Sequence, residues 1–167
     1  MNFEIRPLED NRTDIIRSFW LKLWAGDSMV VHDQVYHPED LSGFVAVQNG
    51  LIVGLVTYVI AGQDCEVISL DSLAEGQGVG TALLKRIEAA AACADCERIW
   101  LVTTNDNLPA LRFYQKRGYQ IKAIHAGAVD RARRIKAGIP QTGLQGIPLH
   151  DEIELEKVTG WKTRPCK

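Results

Sequence analysis

Glycine occupies every second position from Gly76 to Gly80, and the residues that follow, TALLKRIEAAAA, are strong helix formers. A tight turn needs one glycine. Three in alternation at the start of a helix let another molecule come close to the backbone, because no Cβ stands in the way. The first turn of a helix carries unpaired N–H groups and a partial positive charge. A strand, a glycine loop and a helix in that order therefore make an anion-binding element suited to phosphate. Here CEVISLDSL (65–73) reads as the strand, and the helix is expected to run to about Ala94.

The rest of the chain must fit around that unit. FEIRPL (3–8) alternates apolar and polar residues and reads as a first strand. In NRTDIIRSFWLKLW (11–24), Ile15, Ile16, Phe19, Trp20 and Leu23 recur at helical spacing, which predicts an amphipathic helix. Residues 25–41 read as loop with a short helix. GFVAVQNGLIVGLVTYVI (43–60) holds two β-rich runs split by Asn49-Gly50, a pair that tolerates the positive φ angles of a tight hairpin turn. After the glycine helix, RIWLVTTN (98–105) reads as a buried strand. LPALRFYQKRG (108–118) reads as a helix with proline in its first turn and Gly118 past its end. YQIKAIH (119–125) is a strand, AVDRARRIKAG (128–138) a short basic helix, IPQTGLQGIP (139–148) a loop, and DEIELEKV (151–158) a last strand. The order predicts one α/β domain over residues 1–158: a twisted mixed sheet of about six to seven strands with helices on both faces, and a loose tail from 159 to 167.

With 167 residues the chain has room for one full core. A net charge of −2 argues against a nucleic-acid partner, and no apolar run approaches the roughly 20 residues that span a bilayer. MNFEIRPLED has no apolar signal core, so a cytoplasmic protein is expected. Cys93 and Cys96 form a CxxC, but no second pair has matching spacing and the pair ends a helix rather than opening one. The four cysteines therefore read as ordinary thiols, with no metal site.

Several loops cradle phosphate. The GxxxxGK[ST] pattern fails, because Gly80 is followed by Thr81 and Ala82; GxGxxG fails counted from Gly76 or from Gly78. A plain strand-to-helix turn with spare glycines remains an alternative. EGQGVGTALL resembles the pyrophosphate loop of the GNAT superfamily of N-acetyltransferases, Arg/Gln-x-x-Gly-x-Gly/Ala, with Gly78 and Gly80 as its two glycines. NLPALRFYQKRGY (107–119) resembles a later motif of the same family, with Asn107, Ala110, Phe113, Tyr114, Gly118 and Tyr119 in place. One helix and one strand separate the two blocks, as in that family. The departure is Glu75, where Arg or Gln is usual: a carboxylate repels phosphate.

The resemblance implies an acetyl-CoA-dependent N-acetyltransferase with a GNAT-like fold, working on an amine acceptor and compatible with a homodimer. Acetyl-CoA is then expected between the strands ending near Ser72 and Thr104. Backbone from Leu70 through Asp71 and Ser72 to Leu73 would bind the pantetheine arm. N–H groups of Gln77, Gly78, Val79, Gly80 and Thr81, with the Thr81 hydroxyl, would hold the pyrophosphate. Asn107 and Ala110 would adjoin the same arm; Asn107 also fits a helix N-cap, and the two roles are compatible. An N–H near Leu70 or Asp71 would face the oxyanion. Tyr114 is expected to donate to the departing thiolate, against the plainer reading of a core aromatic. Glu66 is the first candidate base, on the premise that its side chain shares a face with Leu70; Asp71 is the second, and proton loss through water a third route. His32, His37, His125 and His150 read as loop or surface residues. Segments 24–37 and 126–150 are expected to shape the acceptor side. Arg131, Arg133, Arg134 and Lys136 are placed to attract an acidic acceptor or the CoA 3′-phosphate, or form a solvated helix face. Two rivals stand beside the enzyme: a non-catalytic acyl-CoA sensor of the same fold, and a nucleotide-binding α/β domain.

Overall fold

A computed structural model gives the structure, which describes residues 3–9, 12–24 and 26–160. Strand β1 (Glu4–Pro7) leads to helix α1 (Arg12–Leu23), then to a small hairpin, β2 (Met29–Val31) and β3 (Gln34–Tyr36). Strands β4 (Ser42–Gln48), β5 (Leu51–Ala61) and β6 (Asp64–Ser72) follow, then α2 (Val79–Cys93), β7 (Arg98–Thr104), α3 (Leu108–Gln115), β8 (Gln120–His125), α4 (Ala128–Ile135) and β9 (Glu152–Val158). Seven strands form one mixed sheet in the order β1-β4-β5-β6-β7-β9-β8, and β2 and β3 form a sheet of their own. Only β6 and β7 pair in parallel; the other neighbours are antiparallel.

The mixed seven-stranded sheet agrees with the fold class read from the sequence. Asn49 and Gly50 have φ of +51° and +77°, as their hairpin requires. The reading of 25–41 as loop with a short helix is corrected: the segment holds the β2–β3 hairpin and a 3-10 turn at Pro38–Asp40. Its turn uses His32 and Asp33 at φ +52° and +62°, without the glycine that normally marks such a turn. Asp33 is fixed there by Arg131 of α4, which donates to both its carboxylate oxygens at 3.0 and 3.2 Å. A contact across the fold supplies what the local sequence lacks.

Each face of the sheet has its own core. Leu83, Leu84, Ile87 and Ala91 of α2 and Tyr114 of α3 pack against Phe44, Val56, Val67, Ile99, Leu101 and Leu155 on one face. Ile16, Phe19 and Trp20 of α1, with Met29 and Val31, cover Val45, Leu55 and Ile68 on the other. Cys65 and Cys96 are buried free thiols, whereas Cys93 is disulfide-bonded, which corrects the reading of all four cysteines as thiols. No helix among the described residues is long and apolar enough to cross a membrane. The tail expected to be loose lies, from residue 161 on, outside the described residues.

Gly54 of β5 sets how closely α2 sits on the sheet. A Cβ there would lie 2.6 Å from Val79 Cγ1 and 3.0 Å from the Asp71 carbonyl oxygen. Neither a helix N-terminus nor a strand carbonyl yields cheaply. Gly54→Ala is expected to destabilise the protein by about 1–3 kcal/mol, read as a lower midpoint in denaturant melts.

Candidate active site

The N-terminus of α2 begins at Gly78, whose φ of +81° caps the helix in the left-handed conformation. The first helical bond beyond it runs from the Ala82 N–H to the Gly78 carbonyl. The N–H groups of Val79, Gly80 and Thr81 therefore precede the helical ladder and point out of its end. Gly76 is also left-handed, at φ +72°, and, adjoining residues aside, no described atom lies within 4 Å of where a Cβ of Gly76 or Gly78 would stand, so the space beside both glycines is open. Gly80 serves packing instead: its Cβ position lies 3.4 Å from the Phe113 ring. Glu75 is exposed.

A basic residue that the sequence reading passed over lies close to this loop. Arg117 donates from Nε and Nη2 to the Thr81 hydroxyl oxygen at 3.2 and 2.5 Å, and from Nη1 to the Phe113 carbonyl at 2.7 Å. Its guanidinium stacks 3.6 Å from the Phe113 ring centroid. As the Thr81 oxygen accepts from Arg117, its own proton remains available to donate. Positive charge absent from position 75 thus reaches the loop from the end of α3.

Beside the loop the sheet opens. β6 and β7 pair only over Asp64–Glu66 and Arg98–Trp100; beyond that β6 pairs with β5 alone and β7 with β9 alone. A bulge accompanies the split. Thr57 faces Ser69 and Tyr58 faces Val67, so Ile68 is left over on β6. The bulge reverses the alternation. Val67 and Leu70 both turn to the α2 face, while Glu66, Ile68, Ser69 and Asp71 turn to the α1 face. The premise that Glu66 and Leu70 share a face is therefore corrected: even spacing holds only for an unbroken strand. The Leu73 N–H, expected to be free for a ligand, donates to the Val53 carbonyl at 2.8 Å.

Two carboxylates on the α1 face of β6 are buried. Asp71 is 7% exposed; Oδ1 accepts the Trp24 indole N–H at 3.0 Å, and Oδ2 has no partner. Burial pushes its pKa up to about 6, against a smaller lowering by the indole bond. Glu66 is 8% exposed; Oε2 accepts the Tyr36 hydroxyl at 2.7 Å and Oε1 has no partner. Burial raises its pKa as well.

On the other face α3 begins at Asn107, whose side-chain oxygen accepts the Ala110 N–H at 3.2 Å, a regular N-cap that leaves its amide NH2 free to donate. Two turns later Tyr114 is buried against Phe113 and Tyr119, both edge-on, with centroids 5.1 and 5.6 Å away. Among the described residues its hydroxyl makes no hydrogen bond. Burial raises its pKa, and the nearby Asp71 charge raises it further. Asp71 thus acts electrostatically on Tyr114 while its carboxylate is bonded to Trp24 on the opposite face.

A cavity of about 570 Å3 fills the α1 side of the gap, lined by Trp24, Met29, Ile68, Val102 and Thr104 and roofed by residues of α4 and the loop behind it. Segments 24–37 and 126–150 both contribute to this wall. Two of the four basic residues of this segment hold the roof: Arg133 donates to the carbonyls of Ile139, Pro140 and Leu149, and Lys136, just past α4, to those of Trp24 and Ser28, whereas Arg131 and Arg134 are exposed. Asn105 donates to the Pro148 carbonyl and accepts the His150 and Asp151 N–H groups, while Asp106 accepts the Leu144 N–H. His32 and His125 rings stack edge-on at 4.4 Å, and His125 pairs with Glu154 at 2.8 Å. Glu152 lines the cavity and is 4% exposed.

The acetyltransferase (GNAT) family model matches residues 10–119. The chain belongs to the GNAT acetyltransferase family. A relative 45% identical to it, the uncharacterized protein YdhI of Bacillus subtilis (strain 168), aligns over 92% of this chain and 97% of that protein. Among solved GNAT-like structures, the IAA acetyltransferase of Bacillus cereus ATCC 14579 superposes with a TM-score of 0.71 at 16% identity, over 95% of this chain and all of that one. A GNAT family acetyltransferase of Elizabethkingia anophelis, solved with acetyl-CoA bound, superposes at 0.68 with 19% identity, over 95% and 99% of the two chains. At these identities the likeness extends to the GNAT fold.

Proposed function

We propose that the chain moves an acetyl group from acetyl-CoA to a primary amine by direct attack. The observation that carries this is the meeting of two different spaces at one break in the sheet: a helix end suited to an anion with Tyr114 on one face, and a cavity with largely apolar walls on the other, the face on which Glu66 and Asp71 are buried. The glycine loop fits a diphosphate through the N–H groups of Val79, Gly80 and Thr81 at the open end of α2, while the Gln77 N–H, expected to join them, donates to the Ala74 carbonyl at 3.4 Å. Bound acetyl-CoA supplies a thioester that the amine attacks. Thr81, oriented by Arg117, completes the diphosphate cradle that Glu75 leaves short of positive charge.

Asp71 stands at the gap with a lone pair unused. A primary ammonium has a pKa near 10 and must lose a proton before it attacks; a carboxylate raised by roughly two units takes it at lower cost than an ordinary one. The C–N bond then forms and the C–S bond breaks. The second amine proton ends on sulfur, because a thiol of pKa about 8.5 is protonated at pH 7. Tyr114, with its pKa raised, holds its proton more tightly than a free phenol. Its part is therefore to donate a hydrogen bond to the thiolate rather than to surrender a proton.

A thiol-release assay with acetyl-CoA and a broad panel of amines tests the proposal. Steady turnover with at least one amine is the expected result. Tight CoA binding with no turnover on the whole panel identifies a sensor instead. In the same assay Arg117→Ala is expected to raise KM for acetyl-CoA about tenfold with kcat little changed, the loss of one charge-assisted contact, and Arg117→Lys to recover part of it.

A further inference from the structure

We propose that the acceptor is a singly charged amine with a compact apolar body, and that Glu152 receives its ammonium group. This deepens the acetyltransferase reading and rests on it.

The cavity walls are largely side chains such as Met29, Val31, Ile68, Val129 and Leu149. Three charged residues also line it: Asp106, Lys136 and Glu152. Two of these are already used by the protein. Asp106 accepts the Leu144 N–H at 2.7 Å and the Thr104 hydroxyl, which ties the roof to the start of α3. Lys136 gives two of its three donors to the Trp24 and Ser28 carbonyls at 3.1 and 2.9 Å, bracing the end of α4 against the chain before β2.

Glu152 is left. Its two oxygens share one donor, the His32 backbone N–H, at 3.1 and 3.3 Å. Among the described residues it forms no ion pair. It lies opposite Thr104 in the β7–β9 register, and Thr104 ends β7 at the gap where the acyl group is expected. A carboxylate this buried needs a counter-charge to offset its desolvation. A second observation agrees. Asp71, only 7% exposed, keeps an unpartnered oxygen on this face, bonded through its other oxygen to Trp24 of the cavity wall. Lys136 lines the same cavity and His32, His125 and Arg131 lie near enough to act on Glu152, but among the described residues none forms an ion pair with it, and the apolar walls offer little to a second charged group on the ligand. An acceptor bearing its own carboxylate meets like charge at Glu152 and Asp106; with Asp106 already bonded and Asp71 outside the cavity lining, a second ammonium group is left against Met29, Val31 or Leu149.

The test compares phenethylamine and hexylamine with phenylalanine and spermidine as acceptors for the unmodified protein. Expected are kcat/KM values for the two apolar amines at least tenfold above those for the other two. Glu152→Gln is expected to raise KM for phenethylamine at least tenfold while KM for acetyl-CoA stays within twofold, and Glu152→Asp to restore part of the loss. Equal or better use of phenylalanine or spermidine overturns the inference, as does an unchanged amine KM in a folded Glu152→Gln. Should that variant fail to fold, the acceptor order alone decides. Absence of turnover with every amine overturns the acetyltransferase reading and this inference together; turnover in the wrong order overturns only the inference.

Discussion

Asp71→Asn is expected to lower kcat by about 10²–10⁴ while making the protein more stable at neutral pH. The first part follows from removing the base at the gap. The second follows from the sign of the pKa shift. The folded protein holds the Asp71 proton more tightly than the unfolded chain does, with a pKa raised from 3.8 to about 6. The stability associated with this group is therefore fully present below about pH 4 and is lost as pH rises through 6. At pH 7 the ionised carboxylate costs roughly 3 kcal/mol as an upper figure. Asparagine removes the charge but places an amide N–H where Oδ2 has no partner, which returns about 1–3 kcal/mol of the gain. A net rise of about 1 kcal/mol, or 2–4 °C in Tm, remains. Thermal melts at pH 4.5, 5.5 and 7 check it: the advantage of the variant grows with pH. The pH–rate profile supplies a second check, because the acid limb near pH 6 disappears in the variant. A variant within threefold of the parent in kcat excludes Asp71 as the base.

Tyr114→Phe is expected to reduce kcat by about ten- to a hundredfold, the value of one hydrogen bond to a developing thiolate, with KM for acetyl-CoA within twofold. Folding is spared. The edge-on contacts with Phe113 and Tyr119 involve the ring, which phenylalanine keeps, and the hydroxyl has no partner among the described residues to lose. Chemical-denaturation midpoints of the two proteins should therefore coincide. Equal turnover in parent and variant reduces Tyr114 to a core aromatic.

The glycine-loop half of this protein was legible before folding was considered. Gly76 and Gly78 take the left-handed φ that only glycine adopts without strain, and Asn49-Gly50 makes the hairpin that this dipeptide favours. Asn107 caps α3 and Tyr114 follows within the same short helix, so their spacing on one element is fixed by helix geometry. These are local properties, set by the sign of φ, by a helix end and by separations of a few residues, and the chain's order of strands and helices follows from the same rules.

The acceptor side was not legible in that way. Ile68 bulges because β6 is bound on one side by β5 and released on the other by β7, a condition no window of sequence contains. Glu152 sits in DEIELEKV, read from the sequence only as a last strand; it is buried because β9 inserts between β7 and β8 and carries that face beneath the β2–β3 turn. Arg117 reaches Thr81, 36 residues earlier, only once α3 lies across the start of α2. The sequence alone determined where an anion can bind, since that depends on backbone conformation and helix polarity. Tertiary structure decided what faces that anion across the sheet, since desolvation and partner choice exist only after distant strands have come together.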